Sequence, residues 1–293
     1  MLLLIVTIKF FNKDNLTRPG GVMKYSLISL LFLFTALNCG EKKEQPKTEE
    51  PSLMRREVLY TAGGSPMKGY ISYDASKKGK RPGIIVVHEW WGNNDYSRMR
   101  ADMLADSGYI ALSVDMFGNG KQADNPKDAQ NLAMGVMQNP DTLKTRFLAG
   151  LALLKEQEQT DSTKIAAIGY CFGGGVVLNI ALAGADLDGV ASFHGMLPTD
   201  KVKKPGNVKA KMLVCAGDAD PFVPKETADK FKKAMDDAGV DYKFVSYPDA
   251  KHAFTNPDAD SLGKKFNIPI AYNGQADLKS WAELMMFLHG LFK

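Results

Sequence analysis

Three residue types, placed in one chain order, could together carry acyl-transfer chemistry. The first is Cys171, within Gly169-Tyr170-Cys171-Phe172-Gly173-Gly174-Gly175, with glycine two positions to either side. This G-x-nucleophile-x-G spacing suits a strand that reverses directly into a helix with its reactive side chain at the apex. The glycines allow the two backbones to approach where a Cβ would collide. A helix N-terminus favours a thiolate, because unpaired N–H groups and the macrodipole are directed at it. A lone cysteine is also a common small buried hydrophobe, so the functional reading needs a base to hold the proton and a carboxylate to orient that base. Two downstream segments supply them: Gly217-Asp218-Ala219-Asp220-Pro221-Phe222-Val223-Pro224, and Pro248-Asp249-Ala250-Lys251-His252-Ala253-Phe254. Either Asp218 or Asp220 could be the acid. His252 is the base.

The elements around these residues must bring them to one place. Segments 57–61 and 68–73 alternate apolar with polar residues around Gly63-Gly64-Ser65-Pro66, an opening hairpin. Residues 84–88 form a continuous apolar run suited to a parallel strand buried on both faces. A polar loop follows, then a helix near 96–107 ended by Gly108. Residues 109–114 read as a strand, followed by a long polar excursion from Phe117. Asn139-Pro140 starts the next helix. Strands near 164–169, 190–194, 212–216 and 242–247 follow, with helices after Cys171, near 224–238 and near 276–292. On the last helix Leu278, Trp281, Leu284, Met285, Leu288 and Phe292 form the expected apolar side. Strands alternating with helices predict an α/β fold: a doubly wound, mostly parallel sheet with helices on both faces. In such a sheet the loops at the C-terminal strand edge converge, and all three candidates fall on such loops.

Nucleophile, acid, histidine is the α/β-hydrolase order, and intervals of 49 and 32 positions between Cys171, Asp220 and His252 leave room for a strand and a helix each. Taken together, HEWWG at 88–92, GYCFGG at 169–174, GDADPFVP at 217–224 and HAF at 252–254 resemble the dienelactone hydrolase family, from about Glu57 to the C-terminus. The resemblance implies the α/β-hydrolase fold, no cofactor, and a small-molecule ester or lactone substrate. It assigns Cys171 as nucleophile, Asp220 as acid and His252 as base. It makes Glu89 a carboxylate that contacts the cysteine and controls its ionisation, where the alternative is a solvated loop charge. The backbone amides of Phe172 and Trp90 would form the oxyanion hole. Trp91 and Phe117 stand as substrate-binding candidates beside Trp90, against the alternative that such aromatics are core. His194 either faces the site or is a satisfied structural histidine, and His88 reads as packing. The family's dienelactone enzyme holds its substrate carboxylate with arginines. Here residues 123–137 contain none, and Thr255-Asn256 occupy the other position. An uncharged ester, thioester or lactone therefore fits better than a dienelactone.

The N-terminus has a separate logic. Met23-Lys24-Tyr25-Ser26 precedes an 11-residue apolar run, 27–37, that ends at Asn38-Cys39-Gly40. That is the form of a secretory signal, too short to span a bilayer. The cysteine after it resembles a bacterial lipobox, so Cys39 is the expected lipidation site. Residues 1–38 read as leader, with Met23 as an alternative start, 39–56 as a charged tether, and 57–293 as the domain. The expectation is an exported, lipid-anchored bacterial protein, periplasmic or at the cell surface.

A net charge of +4 with no basic cluster among aromatics excludes nucleic acid as the expected partner. The turn after Val87 lacks phosphate-loop glycines, and four scattered histidines without H-E-x-x-H give no metal centre. The rival readings on this fold are a catalytically silent, surface-anchored binding protein, or thioesterase, acyltransferase or peptidase chemistry at the same cysteine.

Overall fold

The computed structural model describes residues 52–200, 202 and 205–293. The leader, Cys39 and the tether up to residue 51 lie outside them. Eight strands form one sheet: β1 (Leu53–Ala62), β2 (Ser65–Asp74), β3 (Arg81–Val87), β4 (Ile110–Val114), β5 (Thr160–Tyr170), β6 (Gly189–Phe193), β7 (Lys211–Gly217) and β8 (Tyr242–Tyr247). Their order is β1-β2-β4-β3-β5-β6-β7-β8. β1 and β2 form the expected hairpin, and β2 runs antiparallel to β4. All remaining pairs are parallel. The sheet thus begins inside the segment read as tether, at Leu53.

The helices are α1 (Asp95–Asp106), α2 (Pro126–Met137), α3 (Pro140–Lys155), α4 (Phe172–Leu182), α5 (Lys225–Asp237), α6 (Ala259–Phe266) and α7 (Gly274–Leu291). One face of the sheet packs on Phe147 and Leu154 of α3, Val177 and Ile180 of α4, and Phe231 of α5. The other packs on Leu104 of α1 and on Leu284 and Leu288 of α7. Covering on both faces explains why every residue of β4 and β6 is buried. Asparagine side chains cap α1, α2, α3 and α7, each accepting a hydrogen bond from an amide of the first turn.

Three elements depart from the sequence reading, one of them α6, a helix in a stretch where no element was expected. The polar excursion after Phe117 contains α2, which starts with the same Asn-Pro pair as α3 but buries only Ala129 and Val136. Its apolar pattern is thin because one of its sides borders a cavity. On α7, Leu278 is 74% exposed and does not belong to the apolar side; the helix instead buries Ala276, Ser280, Leu284 and Leu288.

Chain order reverses at β3, since β4 lies on one side of it and β5 on the other. The crevice at such a switch point is where an open α/β sheet binds ligands. The loops leaving β3 and β5 carry Glu89-Trp90-Trp91 and Cys171.

Candidate active site

β5 ends at Tyr170 and α4 begins at Phe172, so the whole reversal is made at Cys171, which adopts φ 52°, ψ −114°. An L-residue held there is strained, and only surrounding structure maintains it. The glycines explain how that structure fits. A Cβ at Gly169 would strike the Gly173 carbonyl, and one at Gly173 would strike the Val87 carbonyl. The Cys171 amide is tied down twice, donating to Phe193 O at 3.0 Å and to His194 Nδ1 at 3.1 Å.

The candidate acid and base come from the loops after β7 and β8. His252 Nδ1–H donates to Asp220 Oδ2 at 2.8 Å. Asp220 Oδ1 in turn accepts the Phe222 amide at 2.8 Å, so its own turn sets the carboxylate orientation. Asp220 is buried against His252 while Asp218 is exposed, so of the two candidate acids Asp220 is the one placed beside the imidazole. With Nδ1 committed to Asp220, the remaining ring nitrogen is the one left for the Cys171 side chain. Burial works against charge on His252, but the adjoining Cys171 and Asp220 side chains outweigh it. The imidazole is pushed up to about 10.

Glu89 is also buried, beneath the same cavity, and burial pushes its carboxyl up to about 7 against the opposing pull of Asn256, His252 and Arg100. The resemblance implied contact with the cysteine. Instead, Glu89 Oε2 accepts Asn256 Nδ2 at 2.7 Å, and no hydrogen bond joins it to Cys171 among the described residues. The difference follows from Asn256, which presents an amide donor at the end of the His252 loop. Glu89 leaves a signature in stability. Its folded pKa stands above the ordinary 4.5, so between about pH 4.5 and 7 the folded protein keeps a proton the unfolded chain has released, and stability falls as pH rises through that window. Across it, urea unfolding is expected to show the native protein losing on the order of 3 kcal/mol more than Glu89→Gln. Equal losses would contradict the assignment.

His194 and Phe117 do not line the cavity, contrary to the substrate-binding reading. Phe117 lies beneath the elbow, 4.7 Å from the His88 ring and 5.4 Å from Phe172. Beside it His88 is wholly buried and held neutral, with burial pushing it down to about 4. His88 Nε2 accepts the Met116 amide, fitting its packing role. His194 is 1% exposed, and burial holds it well below its ordinary value. Because its Nδ1 accepts from Cys171, its Nε2 carries the proton and donates to Thr255 Oγ1 at 2.7 Å. Thr255 Oγ1 also lies 2.6 Å from the Tyr96 hydroxyl. One neutral ring therefore bridges the Cys171 backbone to the loop bearing His252. His194→Phe is expected to cost about 1–3 kcal/mol in urea unfolding, from the loss of two buried hydrogen bonds, and to lower kcat about tenfold through misplacement. His194→Asn, with an acceptor at the Nδ1 position, should restore part of kcat; unchanged kcat in His194→Phe would contradict the bridge.

Above Cys171 lies a cavity of about 590 Å³ lined by Glu89, Trp90, Trp91, Phe172 and His252, and by residues of α2. Trp91 stacks on Phe266 of α6 at 5.7 Å, which fixes this wall. Phe172 opens α4, where an N–H has no intrahelical partner. Its amide and that of Trp90 have no acceptor among the described residues. The site residues not anticipated are Asn256 and the α2 face, for which Asn125-Pro126 was the available signal.

Comparison with known proteins agrees with this architecture. Residues 67–292 match the dienelactone hydrolase family. Protein usf of Aquifex pyrophilus is 32% identical over 225 residues, spanning 75% of this chain and 95% of its own length. A relative in Aquifex aeolicus, named only provisionally as a carboxymethylenebutenolidase, is 28% identical over 214 residues, 71% of this chain and 90% of its own. The crystal structure of a dienelactone hydrolase-like promiscuous phosphotriesterase from metagenomic libraries is 34% identical with a TM-score of 0.77, covering 82% of this chain and 99% of that one. With its elbow, switch-point crevice and eight-stranded sheet, the chain belongs to the dienelactone hydrolase family, α/β-hydrolases acting on ester or lactone bonds.

Proposed function

We propose that the chain hydrolyses an ester or lactone through an acyl-enzyme on Cys171. The thiolate attacks the carbonyl carbon, an S–C bond forms, and the carbonyl oxygen becomes an oxyanion facing the amides of Phe172 and Trp90. As the C–O bond breaks, His252 gives its proton to the departing alkoxide. Water then attacks the thioester carbonyl, His252 takes the water's proton, and the thiolate leaves with the acid as product. Asp220 holds the ring so that its free nitrogen faces the sulfur in both halves.

The observation that carries this reading is the connected arrangement of Cys171, His252 and Asp220 beside two unengaged amides at the floor of a cavity. A silent binding protein has no need of a strained nucleophile or a charged imidazole at that floor. The test is hydrolysis of a short-chain p-nitrophenyl ester by the full chain beside Cys171→Ala. Turnover by the parent and none by the variant is expected; turnover retained in the variant would sink the cysteine mechanism.

A further inference from the structure

The cavity wall contributed by α2 is graded in polarity. Its 12 residues span roughly 18 Å and cross the crevice from one catalytic loop to another. At the N-terminal end Gly92 pairs with Gln122, and the Ala123 amide donates to Trp91 O at 3.0 Å, so this end adjoins the β3 loop. At the C-terminal end the Met137 methyl lies beside Gly175, in the first turn of the helix that Cys171 begins. Met134 and Met137 line the cavity here, and Met196 closes over the same glycine. Apolar lining continues beyond α2, since Ile270 bridges to His252 and lines the cavity with Ile268.

Charge follows the reverse pattern. The lining lysine is Lys127, exposed near the N-terminus of α2; at the floor the His252 imidazole is already committed to Asp220, and Glu89 is buried there with its carboxylate held by Asn256. Arg100 is the nearby buried cation, but it is already spent on Asp277 and the Thr255 carbonyl and does not line the cavity. A substrate carboxylate laid against these thioethers, of which Met134 is 38% exposed, would exchange part of its hydration for apolar contact with no cation beside them. A hydrocarbon chain would meet flexible thioethers that adapt to its shape.

We infer that the cavity takes a neutral ester whose acyl group is an apolar chain laid along α2 against Met134 and Met137, an inference that rests on the hydrolase reading above. Those two methionines are then specificity-determining residues.

The experiment measures kcat/KM of the full chain on p-nitrophenyl acetate, butanoate and hexanoate, and on the adipate monoester, the carboxylate-ended counterpart of hexanoate. Each added methylene is expected to raise kcat/KM about fourfold, so hexanoate should exceed acetate by on the order of 100-fold. The adipate monoester should fall at least about tenfold below hexanoate. Met134→Glu should lower the hexanoate-to-acetate ratio at least about tenfold, a ratio taken within one preparation and so independent of how much protein folds. Cys171-dependent turnover with a flat chain-length series, an adipate preference, or an unchanged ratio in Met134→Glu overturns this inference alone. No Cys171-dependent turnover on any of these esters overturns the hydrolase reading, and this inference with it.

Discussion

Cys171→Ala is expected to lower kcat/KM for a short-chain ester by on the order of 10⁴-fold. The size follows from what the thiol does. Without it no S–C bond can form, and the reaction reverts from two moderate steps to one direct attack by water. What survives is the contribution of the Phe172 and Trp90 amides and of the cavity, which hold a carbonyl in place without a nucleophile. The fold should tolerate the change, because Cys171 contributes its strained backbone, fixed by Phe193 O and His194, and a side chain facing the cavity. Alanine keeps the Cβ, so unfolding in urea should shift little while turnover collapses. A loss of only a few fold would assign the nucleophile elsewhere.

Asp220→Asn is the second large effect, expected at about 10³- to 10⁴-fold in kcat. Phe222 N–H would hold the asparagine oxygen where it now holds Asp220 Oδ1, turning the NH2 group toward His252 Nδ1. Two donors cannot face each other, so Nδ1 gives up its hydrogen and the ring's proton moves to the nitrogen that serves Cys171. That nitrogen can then no longer accept the thiol's proton. The Asp220 hydrogen bond and charge are also among the causes holding His252 up to about 10. The variant should therefore lose its imidazolium at lower pH than the native protein, shifting the alkaline limb of kcat/KM downward. An unshifted limb with a small loss in kcat would mean that Asp220 does not orient the base.

The elbow was legible because its chemistry constrains local spacing: a strand reversing into a helix at one residue requires glycine on both sides of Cys171. The candidate acid and base were legible because Asp220 and His252 follow strands of clear apolar character, and parallel strands deliver their loops to one edge. Asp218 and Asp220 were indistinguishable from residue type; burial and the Phe222 amide separate them. α2 was harder to see because a helix beside a cavity needs fewer core residues, and Gly135 and Asn131 dilute its pattern further. His194 shows the limit of position alone. It stands at the C-terminal edge of β6, as a substrate-binding residue would, yet its ring turns inward to Thr255 and the Cys171 amide. The Glu89–Asn256 pair was equally hidden, since 167 positions separate its members. Only the packed fold brings them together.

The measurement that tests the central claim most directly is intact and peptide mass spectrometry of the full chain, quenched in acid milliseconds to seconds after mixing with p-nitrophenyl hexanoate. The account predicts a mass gain equal to one hexanoyl group, confined to the peptide containing Cys171 and absent from Cys171→Ala. It also predicts more adduct in a variant whose deacylation base is impaired, such as Asp220→Asn, relative to its turnover. Steady p-nitrophenol release with no adduct on Cys171, or with the adduct on another residue, would contradict it.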